Sequence, residues 1–346
     1  MSNVRVLVVE DSLTVRRHLC EILSAEPGLE VVGEAGDGKT AIALCVSLRP
    51  DVITLDMMLP VMTGLAVTEY VMAHCPTPIL IVSASVNRGE LFRTYDALAA
   101  GALDCMDKPR GDATDGAWRE RFVAAVHRAA RIRVITHPRL RLGAIGTPPL
   151  ASEPGGVKVV ALGASTGGPG ALCQVLSGIP APCPVPILVV LHIGEIFGDS
   201  FAEWLDGQTQ HRVRAATDGE LLGAAVGRVT VARPGRHMVV RGGRLRLTDD
   251  PPRSFCRPSV DTLFDSLADE VGTGTVACLL TGMGKDGAAG LLRIRQAGGL
   301  TVAQDEASST VYGMPREAVA LGAARRVVPL ADIGRLVGDR IAGSRR

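Results

Sequence analysis

Short β-branched runs recur along this chain, each closed by an acidic, polar or glycine-rich turn and followed by a stretch with helical spacing of its apolar residues. Val4 to Val9 runs into Glu10, Asp11 and Ser12, Val52 to Leu55 runs into Asp56, and Val157 to Leu162 runs into Gly163-Ala164-Ser165. Strands written as unbroken apolar runs are buried on both faces, so the sheet is parallel and carries helices on either side. The fold class is α/β. At roughly 150 residues per domain, a length of 346 residues makes two domains.

Residues 1–125 hold five such units, with strands Val4 to Val9, Glu30 to Glu34, Val52 to Leu55, Ile79 to Ser83 and a weaker one ending near Met106. Ser12 is placed to cap a helix whose Val15, Leu19, Ile22 and Leu23 share a face, and Gly64 to His74 and Asn87 to Ala99 have similar spacing. From 126 to 156 the chain turns to arginines (Arg128, Arg131, Arg133, Arg139, Arg141) and then to Thr147, Pro148, Pro149, Ser152 and Pro154, the composition of a helix running out into a linker. The pattern restarts in 157–346 with strands Val157 to Leu162, Pro186 to Leu191 and Thr275 to Leu280. These are joined by a hairpin from His237 to Thr248 turning at Gly242 and Gly243, and a helix starting near Pro258.

Lys and Arg number 37 against 36 Asp and Glu, so no global basic field exists to hold nucleic acid or an anionic membrane. Eight cysteines without one C-x-x-C give neither a zinc framework nor a disulfide framework and read as reduced core thiols. Nowhere do 18 uncharged apolar residues run together. A cytoplasmic protein without membrane insertion is expected.

In a parallel sheet, ligands bind beyond the carboxyl ends of the strands. In the first half those positions hold Glu10, Asp11, Asp56, Ser83 and Lys108. Three converging carboxylates raise one another's pKa unless a hard cation shares them, and Mg²⁺ suits such oxygens. A metal beside Asp56 would neutralise an incoming phosphoryl group, with Lys108 adding fixed positive charge and Ser83 a hydrogen bond. That set is a phosphoacceptor site. Over about 120 residues it resembles the receiver domain of two-component response regulators, through Val9-Glu10-Asp11-Ser12, Leu55-Asp56-Met57-Met58-Leu59-Pro60, Ser83 and Lys108-Pro109. The resemblance implies a flavodoxin-like fold, Asp56 as the phosphorylated residue, Glu10 and Asp11 as metal ligands beside it, and a histidine kinase as donor. Cys105 stands where receivers usually carry a switch aromatic.

In the second half, Gly163-Ala164-Ser165-Thr166-Gly167 matches G-x-S-x-G at a strand-to-helix turn. A glycine turn there also suits a phosphate or dinucleotide, but the dinucleotide pattern wants glycine at Ser165 and an acidic residue ending the next strand, which ends instead in His192. A neutral imidazole there can take the serine proton, and Asp286, in the turn after the third strand, can hold the imidazole tautomer. The α/β-hydrolase order also allows Ser165, Asp218 and His237, but His237 opens a hairpin strand; Ser165, His192 and Asp286 are preferred.

This half resembles the chemotaxis receptor methylesterases, the protein-glutamate methylesterase/protein-glutamine glutaminase family. The likeness rests on the Ser165 turn, His192, Pro234-Gly235-Arg236-His237-Met238, Arg257 to Phe264, the Met283 to Gly287 loop, Ala303 to Glu306 and Tyr312 to Pro315. It implies Ser165, His192 and Asp286 as nucleophile, base and acid, Thr166 lining the site, and Met283 donating its amide to the oxyanion. Leu191, Ile193, Gly194 and Arg233 depart from the family's usual residues. The implied function is a phosphorylation-activated serine esterase, with no cofactor of its own, that demethylates glutamyl esters on chemoreceptors. Deamidation of glutamines accompanies it, and the receiver covers the cleft until Asp56 is phosphorylated. A receiver-regulated adaptor without turnover and a nucleotide-binding module on the glycine loop are the competing expectations.

Overall fold

The computed structural model describes residues 3–84, 87–109, 115–132, 134, 156–198 and 200–344. The chain divides into two compact units, Met1–Pro138 and Arg139–Arg346. Most of the linker expected over 126–156 lies outside the described residues; Arg128 and Arg131 are described, and the last helix of the first unit continues past residue 125 to Ala130.

The first unit alternates strand and helix throughout: β1 (Val4–Val9), α1 (Leu13–Ser24), β2 (Leu29–Ala35), α2 (Gly38–Leu48), β3 (Val52–Leu55), α3 (Gly64–His74), β4 (Ile79–Ser83), α4 (Arg88–Ala99), β5 (Asp104–Asp107) and α5 (Asp115–Ala130). The sheet is parallel in the order β2-β1-β3-β4-β5. The order reverses at β1 and β3, opening a crevice above their carboxyl ends. Helices begin where side chains satisfy their free amides. Ser12 accepts from Val15, Asp37 from Thr40, Thr63 from Ala66 and Asn87 from Glu90. β3 and β4 are buried along their whole length, and Trp118 and Phe122 of α5 stack against the same core.

The second unit holds β6 (Val159–Ala164), α6 (Gly168–Ser177), β7 (Ile187–Leu191), α7 (Glu195–Gly198), α8 (Phe201–Gln208), β8 (Arg212–Ala215), β9 (Arg228–Val231), β10 (His237–Arg241), β11 (Arg244–Thr248), α9 (Val260–Glu270), β12 (Thr275–Leu279), α10 (Ala288–Gln296), β13 (Leu300–Gln304), α11 (Met314–Ala320), β14 (Arg326–Val328) and α12 (Leu330–Gly343). Seven strands pair in parallel in the order β14-β13-β12-β6-β7-β9-β8. β6 lies between β12 and β7, so the chain leaves it toward opposite sides of the sheet. A ligand crevice forms at such a switch. The hairpin lies where the sequence puts it, His237 opposite Thr248, with Gly242 and Gly243 both at positive φ. β8, β9, β13 and β14 were not foreseen, and the first strand starts at Val159 rather than Val157. Among the described residues, no helix is long and apolar enough to cross a membrane.

Candidate functional site

In the first unit, β1 delivers Glu10 and Asp11, β3 delivers Asp56 and β5 delivers Lys108 to the crevice. Glu10 and Asp56 are buried, Asp11 is exposed, and carboxylate oxygens of all three lie within 4.8 Å of one another. The Lys108 ammonium lies 2.9 Å from Glu10 and 3.0 Å from Asp56. Burial pushes Glu10 up to about 7, and burial likewise raises Asp56. Burial alone would lower Lys108, but its bonds to the two carboxylates outweigh that and raise it. One ammonium thus pairs with two of the three carboxylates. Among the described residues, Glu10 Oε2 lies near the ammonium but accepts no well-aligned hydrogen bond, and the buried Ser83 hydroxyl has no partner. Oxygens left short of partners around a shared centre are the donor set a hard divalent cation takes. Cys105 is buried on β5 and its thiol is pushed well above its ordinary range by burial.

In the second unit, Ser165 follows the last residue of β6 and His192 the last of β7. Ala164 pairs with Leu191, and the His192 amide donates to the Ala164 carbonyl at 3.0 Å. The two residues therefore leave neighbouring parallel strands side by side. The turn's left-handed residue is Gly167, at φ +77°, and Ser165 itself has an ordinary negative φ. Ser165 is fixed by its amide, which donates to Thr281, and by its carbonyl, which accepts from Gly168. Gly282 lies so close that a Cβ there would stand 2.7 Å from that of Ser165.

Asp286 is buried and bonds His192 Nε2 through Oδ2 at 2.8 Å. Its other partners come from the start of α9. The Ser259 hydroxyl donates to Oδ1 at 2.7 Å, the Val260 amide to Oδ2 at 2.7 Å and the Asp261 amide to Oδ1 at 3.2 Å. A carboxylate seated on the free amides of a helix N-terminus stays ionised. Burial would raise Asp286, but His192 and these donors outweigh it and lower its pKa. Burial likewise works against charge on His192; the bonds to Asp286 and to Cys256 outweigh it and raise the imidazole to about 9. The Nδ1 face is turned away from Asp286, with Cys256 Sγ 3.7 Å from it.

The structure thus brings His192 and Asp286 into contact and sets Ser165 beside them on the next strand. Among the described residues, no hydrogen bond joins Ser165 Oγ to the imidazole. Thr166 lines the turn, its carbonyl accepting from the Thr281 hydroxyl at 2.9 Å. Met283 is partly exposed, and among the described residues its amide donates to no protein group. The alternative set falls apart. The Ser259 amide donates to Nδ1 of His237, and Nε2 lies 3.1 Å from the Pro251 carbonyl, so both ring nitrogens are spent on backbone. Asp218 caps the Leu247 amide and faces Arg246. Sequence reasoning missed Ser259 and Cys256; the Pro-Ser-Val-Asp run opening α9 was the available signal for the first.

Residues 160–337 match the family described as CheB methylesterase, and residues 6–114 match the response regulator receiver domain. The chain is 44% identical over 337 residues to "Protein-glutamate methylesterase/protein-glutamine glutaminase 2" of Anaeromyxobacter dehalogenans, covering 97% of this chain and 96% of that protein. A protein of Caulobacter vibrioides, "Protein-glutamate methylesterase/protein-glutamine glutaminase 1", is 43% identical over 351 residues, covering both chains completely. The crystal structure of the Thermotoga maritima CheB methylesterase catalytic domain superposes with a TM-score of 0.50 at 33% identity, covering 53% of this chain and 98% of that one.

Proposed function

The chain belongs to the CheB methylesterase family and carries that family's catalytic domain behind a response regulator receiver domain, and from this we propose how its own residues perform and regulate the reaction. It is a protein-glutamate methylesterase and protein-glutamine glutaminase under receiver control. The substrate is a glutamyl methyl ester on a chemoreceptor. Ser165 Oγ attacks the ester carbonyl while its proton passes to His192 Nδ1, the ring nitrogen that Asp286 leaves free. The oxyanion is held by the Met283 amide, with Thr166 bounding the pocket. Methanol leaves with the proton from His192. Water, deprotonated by the same imidazole, then cleaves the acyl-serine bond and restores Ser165, leaving glutamate. A glutamine side chain follows the same course and releases ammonia.

In the receiver, Glu10, Asp11 and Asp56 would hold Mg²⁺, which supplies positive charge against an incoming phosphoryl group. Asp56 accepts the phosphoryl group from a histidine kinase, Lys108 neutralises part of its charge and Ser83 hydrogen-bonds it. The boundaries that fit are a receiver extended from 125 to the end of α5 at Ala130, a tether from there to 156 and the esterase over 157–346. A reaction on receptor tails with a kinase donor places the protein in the cytoplasm, where its eight described cysteines remain free thiols.

One observation carries the catalytic assignment: the 2.8 Å His192–Asp286 bond beside the Ser165 turn on adjacent parallel strands. The decisive experiment is methanol release from methylated receptor membranes, with and without a small-molecule phosphoryl donor. Ser165→Ala should abolish release, a loss on the order of a million-fold where the triad acts as a unit. Asp56→Asn should lose its response to the donor, which for a coupling of about 1–3 kcal/mol is roughly a 5- to 150-fold activation. Undiminished release from Ser165→Ala would remove Ser165 as the nucleophile, and no release from the unaltered protein would leave the adaptor reading.

A further inference from the structure

Cys256 presents its sulfur to the catalytic imidazole, yet the ester chemistry above needs no thiol. Its Sγ lies 3.7 Å from His192 Nδ1 and 3.4 Å from the Ser254 carbonyl, with Asp286 on the opposite ring nitrogen. The segment that holds it there is unusual. Arg253 and Cys256 bond each other through both backbone groups, at 2.9 and 3.1 Å, around a two-residue turn in which Ser254 has φ +52° and Phe255 φ +64°. Left-handed backbone costs a residue with a Cβ about 1–2 kcal/mol, and turns of this sign pattern normally use Asn-Gly. No burial offsets it, since Phe255 is fully exposed. Arg253 ties the turn down by pairing with Asp265 and lying 3.9 Å from Asp261. Backbone strain kept at the rim of an active site is grounds for seeking a role for the residue it positions.

The ligand atoms of His192, Cys256 and Asp286 lie within 4.8 Å of one another. Thiolate sulfur with imidazole nitrogen is the donor pair that soft and borderline cations select, unlike the all-oxygen pocket of the receiver. With Zn–S of about 2.3 Å and Zn–N of about 2.0–2.1 Å, a tetrahedral ion separates sulfur from nitrogen by about 3.6 Å. The 3.7 Å between Cys256 and His192 fits that spacing. Asp286 on Nε2 supplies the outer carboxylate that metal-bound histidines characteristically have.

We propose that Cys256 Sγ and His192 Nδ1 form a binding site for a divalent cation of the zinc class, and that its occupation reversibly shuts off the esterase. The metal–sulfur bond replaces the thiol S–H, whose proton passes to solvent. The metal–nitrogen bond occupies the lone pair that otherwise takes the Ser165 proton, and water fills the remaining positions. No electron is transferred. This inference rests on His192 as the catalytic base.

The test uses the full chain at buffered free Zn²⁺. Methanol release should fall as Zn²⁺ rises and return on adding a chelator, whereas Cys256→Ser and Cys256→Ala, each measured against its own zinc-free rate, should require ~10-fold or more Zn²⁺ for the same fractional inhibition. The receiver is unchanged in these variants, so metal bound there cancels in the comparison. Two readouts need no turnover. With Co²⁺, the wild type minus Cys256→Ser difference spectrum should contain a sulfur-to-metal charge-transfer band, and Zn²⁺ should protect Cys256 from iodoacetamide as read by peptide mass. Equal inhibition of wild type and Cys256→Ser, or no band and no protection, would overturn the proposal. An active Ser165→Ala protein would defeat the assignment of Ser165 and its base His192, while the optical and alkylation results would still decide whether the metal binds.

Discussion

At His192 the two ring nitrogens face different surroundings, and the consequences can be measured residue by residue. Asp286 fixes Nε2, so Asp286→Asn should lower kcat by about 10⁴-fold with the fold intact, because the amide stabilises the wrong tautomer. Since His192 is raised to about 9 and only its neutral form accepts a proton, activity should climb with pH through about 9. The sign for stability is the reverse. An imidazole raised from 6.5 to about 9 in the folded protein contributes stability that is complete below 6.5 and lost as pH rises through about 9. A pH–rate profile and a pH series of melting temperatures check both. Ser165 and His192 were legible because each stands just beyond an apolar strand, and Asp286 because it lies in the glycine-rich polar turn that follows the third. Ser259 and Cys256 were not, because they reach the site on a segment folding back between β11 and α9, and no periodicity records where such a segment lands.

Among the elements, close approach governs the loop after β12. A Cβ on Gly282 would stand 2.7 Å from that of Ser165. Gly282→Ala should therefore displace Ser165 and destabilise the unit by about 1–3 kcal/mol, seen as a lower melting temperature together with a reduced kcat. The strained turn predicts the opposite. Replacing Ser254 and Phe255 by Asn and Gly should raise the melting temperature, by relief of about 1 kcal/mol or more, since that pair adopts the same backbone without the Cβ penalty. The glycine hairpin at 242–243 was readable for this very reason. β8 was not: Arg212 and Arg214 face solvent on a four-residue edge strand, a pattern shared with surface loops. β14 is shorter still. Both acquire strand character from the neighbour they pair with.

For the whole molecule, the two units pose different electrostatic problems. The receiver buries carboxylates with a single lysine among them, and Glu10, raised from 4.5 to about 7, contributes stability that is full below 4.5 and lost as pH rises through about 7. Mg²⁺ should therefore raise the receiver's melting temperature, and more at about pH 8 than at about pH 5, where protons compete for the same oxygens. A scanning-calorimetry series with and without Mg²⁺ tests this. The catalytic unit instead neutralises its buried carboxylate with an imidazole and a helix N-terminus. By itself the sequence determined the class of fold, the parallel sheets, the residues at the strand ends and the chemistry each could contribute, because apolar periodicity and turn residues act over a few neighbouring positions. Which ring nitrogen meets Asp286, which serine and which helix hold that carboxylate, and which thiol faces His192 were decided only by tertiary structure. Those contacts join residues far apart along the chain, and their geometry exists only once the sheet has set the register of its strands.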